Sequence, residues 1–409
     1  MAYYLETNKL LPYFQYGYRK QHNTGQAVLD YIHTINNNLK QKYTSISIFM
    51  DLSKAFDTVN RQILCNKLRK LGFDTTSYKL IENYITNRTF CFKNESEHYN
   101  LEHGVPQGSI LGPLLFLIYI YDMKHIAPNN KVIVYADDTT VIIKGRNLTE
   151  AIQHGNDILN RFLLYFNQNK LSINPDKTKY MIHQPITSVN TCKSEKLIMD
   201  NEQLEQVKEI KFLGVILNDK LTWENHKNYL KRKISQCIGI IYNCKNIMTE
   251  QEIINIYKTF IQSNFLYAIE AWGHSIKPEN DILTTVQNKV LRIIFECKRS
   301  EDAWYYAKNR IPTVKQLYTS TITNICKKHY TAHLPEYFAS TIMPEQKTAD
   351  IHNHDVRSTD MTQLNYKLCS IDNNFSFQQN CVKIWNKIDI KLKQSILNKL
   401  LKTVTTEEC

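Results

Sequence analysis

The hydrophobic positions of the first half of the chain follow two different spacings. Some segments repeat apolar residues every three or four positions, as helices do, whereas others alternate or are continuously apolar, as strands do. The predicted helices cover 24–39, 59–73, 110–121 and 149–169. The predicted strands cover 45–50, 88–92, 179–183 and 210–217, together with a hairpin at 132–143. This mixed order favours an α/β or α+β catalytic domain.

Local signals refine the ends of these elements. Thr24 is a possible cap for the first helix, and Gly72 is a suitable stop for the second. The segment "SISIFM" at 45–50 alternates, which predicts a half-buried strand that ends at Asp51.

The longest apolar run, at 110–121, is interrupted by Gly112 and Pro113. It is too short to span a bilayer, so a buried helix and no membrane anchor are expected. Beyond Trp223 the pattern becomes almost wholly helical, which places a domain boundary near 222–226.

Composition changes this picture chiefly through charge. The 409 residues are 43% apolar and 11% aromatic, which is typical of a globular protein. Lys and Arg exceed Asp and Glu by 12, and the isoelectric point is near 9.0. This excess is compatible with a polyanionic partner such as nucleic acid, although many basic proteins bind none.

The cysteines and the N-terminus indicate a cellular compartment. Ten cysteines are scattered without a CxxC pair, which fits the reduced thiols of an intracellular protein better than a zinc ribbon or a disulfide framework. The first residues lack a basic segment followed by an apolar one, so secretion is not expected.

Two adjacent carboxylates interrupt the hydrophobic hairpin "VIVYADDTTVII". Asp137 and Asp138 could simply form its turn, since Asp is a common turn residue. They could also bind a divalent metal, whose charge makes clustered carboxylates favourable. If the strand ending at Asp51 lay beside this hairpin, three carboxylates would meet and could hold two Mg²⁺ ions for a phosphoryl transfer.

The loop "GVPQGSILGP" at 104–113 is the second candidate element. Its glycines allow close approach of the backbone to a ligand, and Gln107 offers an amide beside them. A Gly/Pro turn before a helix is the ordinary alternative. It does not explain why the loop occurs together with a strand-end Asp and an Asp–Asp hairpin.

These motifs resemble those of the reverse transcriptases of non-LTR (LINE-like) retrotransposons, close to the jockey type. Six blocks carry the resemblance, and three weaker blocks extend it. The six blocks are "QYGYRKQHNT" (15–24), "FMDLSKAFDTVN" (49–60), "GVPQGSILGPLLFLIY" (104–119), "YADDTTVI" (135–142), "NQNKLSINPDKTKYM" (167–181) and "FLGVILNDKLTW" (212–223). The weaker blocks are "LYAIEAWG" (266–273), "QNKVLRII" (287–294) and "VKIWNKI" (382–388).

The resemblance implies a right-hand polymerase fold of α+β type. Residues 1–44 would form partial fingers, 45–222 the palm with a primer-grip hairpin near 210–222, and 223–409 the helical thumb and C-terminal region. The implied activity is RNA-directed DNA polymerisation with two Mg²⁺ ions, for which Mn²⁺ could substitute. The implied partners are an RNA template, a DNA primer and dNTPs, in the nucleus or cytoplasm, with no membrane. The oligomeric state is left open.

The resemblance also assigns site residues. Asp51, Asp137 and Asp138 would be the catalytic metal ligands, and the backbone carbonyl of Leu52 would be an extra ligand. The residues implied to contact the nucleotide are Phe56, Gln107, Gly108 and Lys177. The residues implied to contact template or primer are Arg19, Phe212, Leu213 and Gly214.

Several of these residues have a structural alternative. Phe56 matches the aromatic residue beneath the incoming sugar, but it could be an ordinary core residue. Lys177 matches a lysine that could neutralise or protonate the leaving group. Gln107 could instead satisfy a turn, and both Lys177 and Arg19 could be solvated or salt-bridged.

The chain departs from complete members of the family at its N-terminus. From the resemblance we expect the chain to begin after an earlier fingers block that contains an Arg–Pro–Ile sequence, and to be without the upstream endonuclease of complete members. An N-terminally truncated polymerase is therefore expected. Tyr165 also stands in place of a common Trp. Two alternatives stay open: a truncated or domesticated relic that binds nucleic acid without polymerising, and a translated fragment that does neither.

Overall fold

In the computed structural model the chain forms two compact units. Unit 1 comprises Met1–His22 and Thr34–Lys208, and unit 2 comprises Asn23–His33 and Glu209–Cys409. The structure describes residues 1–86, 88–91, 99–101, 103–185, 196–277, 281–298, 311–346, 364–365, 377–389 and 393. The predicted functional boundaries at 44 and 222 stay a prediction, since the compact units divide the chain elsewhere.

A five-stranded sheet forms the centre of unit 1. The strands of this unit are β1 Thr44–Met50, β2 Arg88–Phe90, β3 Tyr99–Leu101, β4 Lys131–Tyr135, β5 Asp138–Gly145, β6 Lys179–His183, β7 Ile198–Met199, β8 Glu202–Gln203 and β9 Glu205–Gln206. Their order across the main sheet is β4-β5-β1-β6-β9. β1 runs antiparallel to both β5 and β6, and β9 runs parallel to β6. The predicted strand at 45–50, the hairpin and the strand at 179–183 are confirmed.

The central strand β1 is more buried than its sequence suggested. All seven of its residues are buried, so the prediction of a half-buried strand is wrong. Ile46 and Ile48 belong to the hydrophobic core, whereas Ser45 and Ser47 are fully buried on the opposite face. Asn38 donates a hydrogen bond to the Ser45 hydroxyl (3.0 Å), so the small polar face of the strand is covered by protein.

In the ranges that the structure describes, six helices precede, separate or follow the strands of this sheet. They are α1 Ala2–Thr7, α2 Thr24–Lys40, α3 Arg61–Lys70, α4 Thr75–Ile85, α5 Leu111–Tyr119 and α6 Leu148–Gln168. A 3₁₀ helix follows α5 at Tyr121–His125, and α6 packs against β1 and β5. The predicted helices are confirmed, and the mixed content confirms the α+β class. Helix α2 contributes its first residues to unit 2 and the remainder to unit 1.

The cap of α2 lies one residue before the predicted one. The Asn23 side-chain oxygen accepts a hydrogen bond from the Gln26 amide (2.8 Å), and the Gln26 side chain accepts one from the Asn23 amide (3.2 Å). This reciprocal arrangement satisfies two amides that the helix leaves without partners. Asn23, and not Thr24, therefore caps the helix.

A partly buried ion pair ties α3 to the chain after α5. Lys67 Nζ lies 2.8 Å from Asp122 Oδ1 and is enclosed by the rings of Tyr119, Tyr121 and Tyr165, with ring-centre distances of 5.2, 5.9 and 5.6 Å. The Tyr165 hydroxyl donates to the same carboxylate (2.6 Å). The Tyr165 hydroxyl therefore adds a polar contact to this ion pair.

The described part of unit 2 is mostly helical, as predicted. A hairpin of β10 Glu209–Phe212 and β11 Val215–Asn218 precedes the helices, and short strands β12 Glu345–Gln346 and β13 Leu364–Asn365 pair with each other. The helices are α7 Glu224–Cys244, α8 Glu250–Tyr257, α9 Ser263–Leu266, α10 Ile269–Trp272, α11 Ile282–Phe295, α12 Val314–Tyr330, α13 Glu336–Thr341 and α14 Phe377–Asn386. A π-helical turn at Lys258–Gln262 joins α8 to α9.

The core of unit 2 contains a fully buried ion pair. Lys227 Nζ lies 2.9 Å from Asp281 Oδ2, and both side chains are 2% exposed. Lys227 also donates to the Ser275 carbonyl (2.7 Å), and Asp281 accepts the Leu283 amide (3.0 Å) as the cap of α11. Several hydrogen bonds thus compensate each buried charge, as stability requires.

Among the described residues, no helix is both long and apolar enough to cross a membrane.

Candidate active site

The strand ends bring three carboxylates to one end of the sheet. β1 pairs with β5 so that Met50 lies opposite Thr139. Asp51 follows the last pair on β1, and Asp138 begins β5, so the two lie at the same end of neighbouring strands. Asp137 lies in the turn between β4 and β5. The structure therefore places the three predicted metal ligands together.

The turn that carries these carboxylates is held by a hydrogen bond to Gln15, which lies much earlier in the chain. Ala136 has a positive φ of 59°, a conformation that costs an ordinary residue about 1 kcal/mol or more. The buried Gln15 side chain accepts hydrogen bonds from the amides of Ala136 (3.2 Å) and Gly17 (2.8 Å). A Cβ at Gly17 would lie 2.5 Å from the Ala136 nitrogen. Gln15 and Gly17 thus support the strained turn.

Burial and neighbouring negative charge raise the pKa of two of these carboxyl groups, Asp137 and Asp138. Partial burial, followed by the charge of Asp51, raises the pKa of Asp137. Removal of the Asp138 carboxyl from bulk water, followed by the charges of Asp137 and Asp51, raises its pKa to about 6, although the residue is exposed overall. Each effect disfavours the charged form, so this cluster favours a nearby cation.

The donor chemistry fits a hard divalent cation. Carboxylate oxygens are the ligands that Mg²⁺ prefers, and a bound cation would relieve the repulsion within the cluster. In the conformation described for these residues, however, no group of three or more His, Cys, Asp or Glu side chains is arranged to hold a metal ion. The role of the three carboxylates as metal ligands stays a prediction.

Lys177 is the cation that the structure places at this cluster. Its Nζ lies 3.4 Å from Asp51 Oδ2, and its side chain is 67% exposed. The Asn174 amide donates to the Asp51 carbonyl (2.8 Å), and Asn174 Oδ1 accepts the Lys177 amide (3.3 Å). The turn that carries Lys177 is thus tied to the backbone of Asp51. Leu52 lies in the same pairing, opposite Ile173, and the role of its carbonyl stays a prediction.

Phe56 is half-buried beside two other rings. It stacks on Phe116 with ring centres 4.7 Å apart and meets Tyr18 edge-on at 6.4 Å. Its contact with Phe116 is what an ordinary core residue would make. The exposed part of the Phe56 ring, in contrast, leaves room for a ligand. Both roles are compatible with this position.

Gln107 and Gly108 lie on the exposed part of the glycine loop. Gln107 Nε2 donates to Asp57 Oδ1 (2.6 Å), which fixes the side chain of an otherwise exposed residue. Gly108 has a φ of +74°, and a Cβ there would meet no atom within 4 Å. The backbone at Gly108 is therefore open to a ligand.

Arg19 is engaged within the protein. Its guanidinium forms two hydrogen bonds with the Glu6 carboxylate (2.8 and 2.7 Å) and one with the Pro12 carbonyl (2.8 Å). Its side chain is 10% exposed. The structure places Arg19 in the salt-bridged arrangement left open above, and contact with a template stays a prediction.

The residues implied for the primer lie on the hairpin of unit 2. Leu213 and Gly214 form its turn with positive φ values of 44° and 81°, and the Tyr267 hydroxyl donates to the Leu213 carbonyl (2.8 Å). The buried ring of Phe212 lies 5.4 Å from that of Tyr31. Phe212 is therefore a packing residue of the hairpin, and the primer role of this segment stays a prediction.

Three residues that position the site were not singled out from the sequence. They are Gln15 behind the Asp turn, Asp57 beside Gln107, and Arg61 at the start of α3. Their partners lie 40 to 121 positions away along the chain. No local pattern could therefore have identified them, although Gln15 and Asp57 lie within blocks that carried the family resemblance.

The chain is similar in sequence to several known proteins. Residues 1–217 match the family described as reverse transcriptase (RNA-dependent DNA polymerase). The chain is 26% identical over 314 residues to the probable RNA-directed DNA polymerase from transposon BS of Drosophila melanogaster, covering 71% of this chain and 33% of that protein. It is 28% identical over 313 residues to the RNA-directed DNA polymerase from mobile element jockey of Drosophila funebris, covering 73% and 33%. The chain thus spans about a third of the length of these curated relatives.

Among solved structures, the chain is similar to telomerase from Candida albicans in complex with a TWJ fragment of telomeric RNA. The TM-score is 0.39 at 12% identity, covering 72% of this chain and 54% of that chain. A likeness at this level supports no further conclusion.

Proposed function

Since the chain belongs to the reverse transcriptase (RNA-dependent DNA polymerase) family, we propose that it extends a DNA primer along an RNA template. This is the reverse transcriptase activity of non-LTR retrotransposons related to jockey. The substrates are deoxynucleoside triphosphates, and the products are an extended primer and pyrophosphate.

One observation carries this proposal. The register of β1 and β5 brings Asp51 next to the Asp137–Asp138 turn, and Lys177 Nζ lies 3.4 Å from Asp51. Three carboxylates with an adjacent exposed lysine support this proposal, because carboxylate oxygens suit Mg²⁺ and an ammonium group suits a triphosphate.

The reaction is a phosphoryl transfer. The primer 3′-hydroxyl oxygen forms a bond to the α-phosphorus, the bond from that phosphorus to the oxygen bridging to the β-phosphate breaks, and the hydroxyl proton is released to solvent. Asp51, Asp137 and Asp138, with the Leu52 carbonyl, would hold two Mg²⁺ ions, or Mn²⁺ in their place. When bound, such ions lower the pKa of the attacking hydroxyl and stabilise charge on the leaving pyrophosphate.

The remaining residues bind and orient the nucleotide. The Lys177 ammonium is positioned to pair with the triphosphate and to neutralise or protonate the leaving pyrophosphate, because it is exposed and held beside Asp51. The exposed part of Phe56 would lie beneath the sugar and disfavour a 2′-hydroxyl. Gln107 and the open backbone of Gly108 would contact the nucleotide and template.

Template and primer would be bound mainly through their phosphates. An excess of 12 basic residues supports contacts that do not depend on sequence. Arg19 and the segment Phe212, Leu213 and Gly214 are the residues proposed to contact template or primer. None of the described cysteines forms a disulfide, which is consistent with the proposed action in a reducing compartment, the nucleus or cytoplasm.

Primer extension on poly(rA)/oligo(dT) with dTTP and Mg²⁺ tests the proposal. The purified chain should extend the primer, and the double variant Asp137→Asn/Asp138→Asn should lose extension while still binding the template–primer. Asp157→Asn is the matched control, since it removes an exposed carboxylate of α6 and should leave extension unchanged.

Folded wild-type protein that binds template–primer and extends nothing would refute polymerisation. That result would instead favour a relic that binds nucleic acid. Extension that survives in the double variant would show that the carboxylate cluster is not the catalytic site.

A further inference from the structure

Arg61, the first residue of α3, is a buried cation outside the carboxylate cluster. It is 9% exposed, and its guanidinium donates to the carbonyls of Leu101, His103 (3.1 Å) and Gly104 (3.4 Å). A cation at a helix N-terminus opposes the helix dipole, and burial adds a further cost. Its three carbonyl partners compensate these costs and lie in one short segment.

That segment leads directly into the glycine loop. The Gly104 amide donates to the Val59 carbonyl (2.8 Å), and the Val105 amide donates to the Phe56 carbonyl (3.0 Å). Gly104 has a φ of +84°, and a Cβ there would lie 2.9 Å from the Asp57 carbonyl oxygen. The start of the loop is therefore pressed closely against the chain that follows Asp51.

The middle of the same loop is also attached to the segment that follows Asp51. Gln107 donates to Asp57 (2.6 Å), and Asp57 lies four residues before Arg61. Asp57 is exposed, so its single hydrogen bond competes with water, whereas the Arg61 side chain is buried and makes three hydrogen bonds that are buried or partly buried. Arg61 is therefore the stronger of the two attachments.

We propose that Arg61 is a positioning residue for the incoming nucleotide. By binding the carbonyls of Leu101, His103 and Gly104, it fixes the position and orientation of the loop that carries Gln107 and Gly108. It touches neither the nucleotide nor the metal ligands. This inference rests on the proposed polymerase function, because it assigns the loop to nucleotide binding.

The test combines steady-state kinetics with hydrogen exchange on the full chain. Arg61→Gln should raise the KM for dTTP by roughly tenfold, because a displaced loop makes weaker hydrogen bonds to the bound nucleotide. Its kcat and its affinity for template–primer should change far less. Exchange of the Gly104 and Val105 amides should become faster, because their pairing with Val59 and Phe56 loosens.

Two further variants separate positioning from general stability. Arg61→Lys keeps the charge and can still donate to a carbonyl, so its KM should lie between those of wild type and Arg61→Gln. Arg69→Gln is the matched control on the same helix. Its side chain is 56% exposed and lies 3.9 Å from Glu82, and its loss should leave KM and loop exchange unchanged.

Several results would overturn the inference. Faster exchange with an unchanged KM would make Arg61 purely structural, and unchanged exchange would show that it does not hold the loop. A loss confined to kcat, or an Arg61→Lys variant no better than Arg61→Gln, would also contradict it. An inactive wild type would refute the proposed function, whereas an active wild type with a normal Arg61→Gln KM would refute only this inference.

Discussion

Replacing Asp138 by asparagine should stabilise unit 1 in the absence of metal. Burial and the charges of Asp137 and Asp51 raise the pKa of Asp138 to about 6, from an ordinary value of 3.8. A group whose pKa is raised on folding opposes folding once it is ionised, so the native state carries a penalty at neutral pH. Asp138→Asn removes that penalty with little change in shape.

The pKa difference sets the size of the effect. A pKa difference of about 2 between the folded and unfolded states would correspond to about 3 kcal/mol, at 1.36 kcal/mol per unit of pKa, if the carboxyl had no contact with water. Asp138 is exposed overall, and solvent screening reduces this to about 1 kcal/mol. For a unit of this size, that is a rise in Tm of about 2–4 °C.

The assay is thermal unfolding at pH 7.5 with a chelator, followed by titration of pH and of Mg²⁺. The stabilisation should shrink as the pH falls from about 6 toward 3.8 and vanish below that value, because Asp138 is then protonated in both folded and unfolded chains. Added Mg²⁺ should stabilise the wild type more than the variant, since it binds only the folded site. Asp157→Asn, which removes the same charge from an exposed position, should show neither effect.

A variant less stable than wild type at pH 7.5 would refute this reasoning. So would a gain that does not depend on pH, because a pH-independent gain cannot arise from carboxylate ionisation.

Three further predictions concern other parts of the chain. Lys227→Met should lower the free energy of unfolding of unit 2 by about 3–5 kcal/mol in urea titrations, because it leaves Asp281 buried without its partner; a loss below about 1 kcal/mol would contradict this. Gly214→Ala should cost about 1 kcal/mol or more by the same measurement, since its φ is +81° and a Cβ would lie 2.9 Å from the Tyr267 ring; an unchanged midpoint would be contrary evidence. Phe56→Val should increase incorporation of rTTP relative to dTTP by roughly tenfold or more in single-nucleotide extension, and an unchanged ratio would favour the core role.

Elements whose signals are local were predictable from the sequence. The β4–β5 hairpin, the strand β1 and the helix α6 follow from short-range periodicity. The burial of β1 was not predictable, because the covering of Ser45 and Ser47 depends on chain segments that the alternating pattern does not identify. Helix α4 was overlooked although a signal existed: Asp74 caps it through the Thr76 and Ser77 amides (2.9 and 3.0 Å).

The site was predictable only in part, for a related reason. Strand ends could suggest that Asp51 and the Asp–Asp turn meet, but the residue roles came from family resemblance. Neither the sequence pattern nor the family resemblance identified the residues that hold the site in place. Gln15 reaches Ala136 across 121 positions, and Arg61 reaches Leu101 across 40, so these contacts depend on the completed fold.

The location of the metal site can be measured directly by iron-mediated cleavage. Fe²⁺ that replaces Mg²⁺ in the folded chain, with ascorbate and peroxide, cuts backbone close to the bound ion. The account predicts cuts near Asp51 and near Asp137–Asp138 that excess Mg²⁺ suppresses and that Asp51→Asn abolishes. Cleavage confined to other segments, or cuts at these positions that persist in Asp51→Asn, would contradict a metal site built from the three carboxylates.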